Sequence, residues 1–142
     1  MSNNGTIIKV SGPLVVAKGL SGTCIYDMVR VGNYKLFGEV VEIRGEEYFI
    51  QVYEETEGLG PGEPVYPTHS AFSVELGPGL IGAIYDGIQR PLDVINRLHG
   101  DYIVRGIEHP PLDRTKKWHF HPGKHVGDEV IPGDVIGYVQ ES

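Results

Sequence analysis

Residues 37–53 read FGEVVEIRGEEYFIQVY, and this stretch decides the fold. Two runs rich in Val, Ile, Tyr and Phe, 37–44 and 47–53, flank Gly45-Glu46, which predicts a hairpin turning at that pair. In the second arm Tyr48, Ile50 and Val52 share one face while Phe49, Gln51 and Tyr53 share the other, the two-residue period of a half-buried strand. Working outward, 6–10 and 14–18 read as strands on either side of Ser11-Gly12-Pro13, whose glycine and proline end one strand and start the next. A third strand is expected at 26–31, a loop over 58–67 and a last strand at 72–76. Short β-rich runs with close Gly and Pro punctuation and no helical period predict a small all-β barrel or sandwich.

The pattern changes at Gly77-Pro78-Gly79. Pro91 suits the first turn of a helix with Leu92, Ile95 and Leu98 on one face, Asp93 near its start, Arg97 four residues on and Gly100 past its end. The chain is expected to be extended over 101–104, and His109-Pro110-Pro111 sets a second boundary. After Trp118 comes an internal echo, Gly127-Asp128-Glu129-Val130 and Gly133-Asp134-Val135-Ile136, in which each Gly-Asp turns the chain and each apolar pair enters a short strand. The echo resembles the barrel-sandwich of biotinyl and lipoyl carrier domains, without the lysine-centred hairpin those domains modify. The expected fold class is mainly β: an N-terminal small β-barrel, a short helix, and part of a barrel-sandwich-like inserted domain.

A chain of 142 residues with 40% apolar side chains can bury a core as one domain or two small ones. Its 12 basic and 19 acidic residues give a net charge of −7, which repels phosphate backbones and anionic lipid, so neither nucleic acid nor a membrane surface is an expected partner. The single cysteine, Cys24, permits no internal disulfide and no all-cysteine zinc site, as expected of a reducing cytoplasmic setting. No run approaches the roughly 18 apolar residues of a membrane span, and MSNNGTIIKV lacks the basic-then-apolar pattern of a leader.

The chemistry-bearing residues are sparse. A phosphate loop needs G-x-x-x-x-G-K-[ST]; Gly123-Lys124 is the only Gly-Lys pair, is followed by His125 and has Trp118 in place of the first glycine. His119 and His121 lie on one side of any strand they occupy, and His125 could return to them as a third metal ligand, but a solvated histidine group is the preferred reading. Trp118 among Lys116, Lys117 and Phe120 is expected to pack its segment against that segment's neighbours rather than form an aromatic-basic binding patch. Glu54 and Glu55, adjacent on a strand, point to opposite faces and are expected to be surface charge. Asp86 and Arg90 are expected to form a structural ion pair. Catalytic, cofactor-binding and metal-ligating residues are each expected to be none.

Three strings carry a resemblance: SVELGPGLIGAIYDGIQRPL at 73–92, QVYEET at 51–56 and KKWHF at 116–120. Together they resemble the catalytic A subunit of the vacuolar and archaeal-type (V/A-type) rotary ATPases, across essentially the whole chain. The resemblance implies an N-terminal fragment of a subunit that couples ATP hydrolysis or synthesis to proton or sodium transport. On that basis 1–76 is the barrel of a crown, 77–105 the lead-in to the nucleotide-binding core, and 106–142 the start of the insertion peculiar to A subunits. The implied partners are non-catalytic B subunits and other A subunits in a hexameric ring, together with peripheral stalk subunits. ATP and Mg belong to the parent, whose place is cytoplasmic and peripheral to the membrane. The fragment itself is expected to supply assembly surfaces, with no nucleotide site of its own. The alternatives are a free-standing β-barrel adaptor and, on the Gly-Asp echo and the histidines, a carrier or metal-binding module.

Overall fold

The computed structural model describes residues 4–100 and 104–141. They fall into two compact units, one of 4–73 with 104–108, the other of 74–100 with 109–141. This partition differs from the three segments read from sequence, because 104–108 packs with the first unit.

The first unit is a closed six-stranded barrel: β1 (Gly5–Ser11), β2 (Leu14–Lys18), β3 (Asp27–Val31), β4 (Leu36–Arg44), β5 (Glu47–Val52) and β6 (Pro64–Ala71), in the order β1-β2-β5-β4-β3-β6. Every pairing is antiparallel. The expected hairpin is present, with Arg44 opposite Glu47 and a bulge between Val40 and Glu42. Inward side chains from all six strands make one core: Ile7, Val15 and Ala17, Val29 and Val31, Leu36 and Val40, Ile50 and Val52, and Val65, joined by Leu20 from a loop. Most are valines or isoleucines, whose branched Cβ suits a pleated wall and fills a narrow interior. Tyr48 packs against this core on the same face as Ile50 and Val52, as the two-residue period requires. At Gly38 the wall has no room for a side chain, since a Cβ there would stand 2.7 Å from Ile50 Cγ2.

The sixth strand corrects the sequence reading. Residues 58–67 are not all loop, and 72–76 form no strand; β6 begins at Pro64 and ends at Ala71. Pro64 and Pro67 hid it by reading as punctuation. Gly32 N–H donates to Pro64 O at 2.8 Å, so the Pro64 carbonyl faces β3, and strand alternation turns the Pro67 nitrogen to the opposite edge. There β6 pairs with β1 only at Val65 and Pro64, so Pro67 removes no ladder hydrogen bond.

On the barrel exterior, Tyr53 donates its phenolic hydroxyl to the Glu39 carboxylate across β4 and β5. That hydrogen bond, helped by partial burial and by the Glu39 charge, pushes the Tyr53 hydroxyl from 10.0 up to about 12. A raised folded-state value favours the neutral phenol. The contribution to stability is therefore complete below pH 10 and is lost as pH climbs through 12. Ultraviolet titration should show Tyr53 among the late-ionising tyrosines, and Glu39→Gln should return that one towards its ordinary range. An unchanged titration curve in that variant would refute the assignment.

The second unit holds α1 (Leu92–His99) and a ribbon of β7 (Phe120–Pro122) and β8 (Gly137–Val139). Pro91 is the residue before the first helical one, with extended backbone, and Gly100 caps the end by donating to Asn96 O at 2.8 Å. Asp93 and Arg97 pair at 3.0 Å, one turn apart on an exposed face. Ile95 is buried, a gain of about 1.5–3 kcal/mol relative to exposure, whereas Leu98, expected on the same face, is 60% exposed. Each Gly-Asp of the echo does turn the chain: Asp128 N–H reaches His125 O at 3.2 Å and Asp134 N–H reaches Ile131 O at 3.1 Å. Their side chains complete the turns by accepting from His125 N and Ile131 N. Neither apolar pair lies in a strand: Glu129-Val130 is followed by another turn, and β8 begins only at Gly137, after Val135-Ile136. Of the extended stretch expected at 101–104, 101–103 lie outside the described residues.

Candidate functional site

Glu54 is not the surface charge its sequence context suggests. One carboxylate oxygen accepts Phe37 N–H at 2.9 Å, at the start of β4, and the other accepts Gly106 N–H at 2.9 Å. A single side chain thus joins a barrel strand to the returning segment 104–108. Arg105 beside it donates to two main-chain carbonyls, Glu55 O at 3.1 Å and Glu57 O at 2.6 Å, and lies over the Tyr34 ring. Glu108 pairs with Arg30 at 2.8 Å, and Arg30 is itself stacked 3.4 Å from the Phe37 ring centroid. Sequence reasoning missed this cluster because its partners lie about fifty residues apart; the only local signal was the QVYEET string.

In the second unit the YDGIQRP string folds into a loop organised by Asp86. Its carboxylate accepts Arg90 Nε at 2.6 Å, Arg90 N at 2.8 Å and Ile88 N at 3.1 Å, so the expected Asp86–Arg90 ion pair exists and also closes the loop. Gln89 was not singled out from sequence, yet its amide holds Glu75 as a strand partner would, accepting from Glu75 N at 2.6 Å and donating to Glu75 O at 2.7 Å. Gln89 has a positive φ of 60°, where a residue other than glycine is strained, and these two bonds offset that strain. Asp86, Gln89 and Arg90 thus hold the loop of this string to itself and to Glu75.

The region around Trp118 is a groove of 560 Å³ formed within the second unit, with Tyr85, Pro91, Pro111, Leu112 and Trp118 on its walls. Lys116 lies 4.0 Å over the Trp118 ring, and Tyr85 donates to Pro111 O at 2.9 Å. Trp118 lines this groove within its own unit. Arg97 and Arg114 at the rim are engaged by Asp93 and Glu75. His119 and His121 do meet, edge to face with ring centroids 4.5 Å apart, but His121 stacks on Tyr138 and His125 is turned to Asp128 at 3.7 Å. Among the described residues no three His, Cys, Asp or Glu side chains form a metal-ligating group.

The resemblance implies a nucleotide for the parent only, and in this chain two glycine amides are already engaged. Gly123 N–H is spent on Ile136 O at 2.8 Å within the β7–β8 hairpin, and Gly79 N–H is spent on the Glu141 carboxylate at 2.9 Å. A phosphate cradle needs free amides converging at the start of a helix. The start of α1 is preceded by Arg90-Pro91, and Pro91 carries no N–H. Among the described residues no helix is long and apolar enough to cross a membrane.

Comparison with known proteins agrees with these two units. Residues 7–69 match the ATP synthase alpha/beta family, beta-barrel domain, and 109–142 match the ATPsynthase alpha/beta subunit barrel-sandwich domain. The chain is 57% identical over 138 residues to the A subunit of the A-type ATP synthase of Thermococcus kodakarensis, covering 97% of this chain and 24% of that protein. It is 59% identical over 140 residues to the V-type ATP synthase alpha chain of Thermoanaerobacter sp., covering 99% and 24%. It is 57% identical over 138 residues to V-type ATP synthase alpha chain 1 of Clostridium tetani, covering 97% and 23%. The chain spans about a quarter of the length of these curated relatives. With a closed barrel over the first match and identities of this size along its whole length, the chain belongs to the ATP synthase alpha/beta family, in the line of the A-type enzyme's A subunits and the V-type enzyme's alpha chains.

Proposed function

We propose that this chain is the N-terminal part of the A subunit of a V/A-type ATP synthase and serves assembly. Residues 1–76 act as the barrel through which the parent joins a hexameric ring of alternating catalytic and non-catalytic chains. Residues 77–105 lead into the nucleotide-binding core, and 106–142 begin the inserted domain that meets the peripheral stalks. The parent couples ATP hydrolysis or synthesis to proton or sodium movement and is cytoplasmic and peripheral to the membrane. The observation that carries the assembly role is the closed barrel matched to the family's barrel domain. Closure at the β1–β6 seam leaves only part of one strand edge open, and the apolar side chains Ile8, Ile25, Tyr26, Tyr34 and Val41 stand exposed on the unit as a surface for association. Native mass spectrometry of the chain mixed with a non-catalytic subunit of the same enzyme should show a mixed complex. Failure to form one, with capture of unrelated proteins instead, would favour the free-standing adaptor.

The second expectation concerns nucleotide. Calorimetric titration with Mg-ATP should give no saturable heat at micromolar concentrations, where binding is worth about 8 kcal/mol. The reason is the donor set, since the Gly123 and Gly79 amides already have acceptors. A saturable isotherm would overturn the reading of this segment as an assembly part.

A further inference from the structure

We propose that 104–108 is a latch, a return segment clipped to the barrel wall by side chains that read its backbone, so that the chain departs towards the barrel-sandwich region from a fixed point on the barrel. The inference rests on the first unit alone and does not depend on the assembly reading.

Three separate devices hold five residues. Arg105 places its guanidinium on the carbonyls of Glu55 and Glu57, which lie beyond the end of β5 and have no strand partner there. Planar guanidinium donors on two carbonyls fix direction as well as position. Gly106 gives its N–H to Glu54, and only glycine serves at this position. Its φ is +69°, and a Cβ built on it would run into the Tyr34 carbonyl oxygen. Glu108 closes the far end on Arg30, whose side chain is largely buried against Phe37. Glu54 connects the three, because its other oxygen holds Phe37 N–H at the strand that presents Arg30's stacking partner.

The barrel match ends at residue 69 and the barrel-sandwich match starts at 109, so both family models leave this segment outside. The contacts nonetheless place it with the barrel. A segment that merely linked two modules would have no need of a glycine at a blocked Cβ position or of an arginine spent on main-chain carbonyls. A latch has need of both.

Trypsin tests it on the whole chain, since the Arg105–Gly106 bond lies inside the segment and Lys116 and Lys117 supply exposed reference bonds. With cleavage followed by mass spectrometry, the Arg105 bond should be cut at least about tenfold more slowly than the reference bonds, as protection by local structure requires. In Gly106→Ala and in Glu54→Gln the Arg105 rate should rise by about tenfold while the reference rates and the barrel's melting transition stay in place. Hydrogen exchange of the Gly106 amide in the unsubstituted protein is independent of how either variant folds, and it should be slow. Rapid exchange of that amide, cleavage at Arg105 as fast as at Lys116, or equal Arg105 rates in the variants and the parent would each overturn the latch.

Discussion

Val52→Asp is expected to abolish the barrel. Val52 is 2% exposed in a core made wholly of aliphatic side chains, so the new carboxylate would have neither water nor a partner. The penalty is about 4–5 kcal/mol, and a domain of this size holds roughly 4–10 kcal/mol in total. Far-ultraviolet circular dichroism and chemical denaturation should show the β-signal lost, or a midpoint too low to leave a folded baseline. The control is Val41→Asp, at a bulged position 41% exposed on the outer wall, which should shift stability by no more than about 0.5 kcal/mol. Equal behaviour of the two variants would mean that the inward and outward faces had been exchanged.

Asp86→Ala should produce the largest effect in the second unit. Arg90 is 7% exposed, and the substitution takes away its carboxylate together with the acceptor for the Arg90 and Ile88 amides. Removing one partner of a buried ion pair costs about 3–5 kcal/mol, more than the pair contributes, because the remaining charge stays in a poorly hydrated place. Adding Arg90→Met should recover part of the loss by removing that charge, and the amides would account for what is not recovered. The single tryptophan, Trp118, lies in this unit, so its fluorescence follows the unit's unfolding without a barrel contribution. A double variant less stable than Asp86→Ala alone would show that the loop needs Arg90 for packing rather than for charge.

What could be read from the residues was what depends on near neighbours. Alternation at Tyr48, Ile50 and Val52 identified a wall strand, and Gly45-Glu46 identified its turn, because both signals lie within a few residues. The Asp86–Arg90 pair was legible for the same reason. The sixth strand was not, since Pro64 and Pro67 carry a local turn signal, and only their pairing with β3 reveals the ladder. Glu54 was misread because its second acceptor role depends on a segment some fifty residues later. Gln89 was passed over because an amide acting as a strand partner leaves no mark in sequence.

The barrel seam carries one last consequence, for the order in which the chain is made. β1 and β6 meet only at Gly5 with Val65 and Thr6 with Pro64, the first and last strands of the ring. During synthesis the β1–β2 hairpin and the β4–β5 hairpin can form as each emerges, whereas the ring cannot shut until β6 has left the ribosome. Until then the free edge of β1 is open to any neighbouring nascent chain. Lys9 lies on β1, and the register of β1 against β2 is irregular between Ile7 and Lys9, a charge and a kink in the strand whose other edge stays open until β6 arrives.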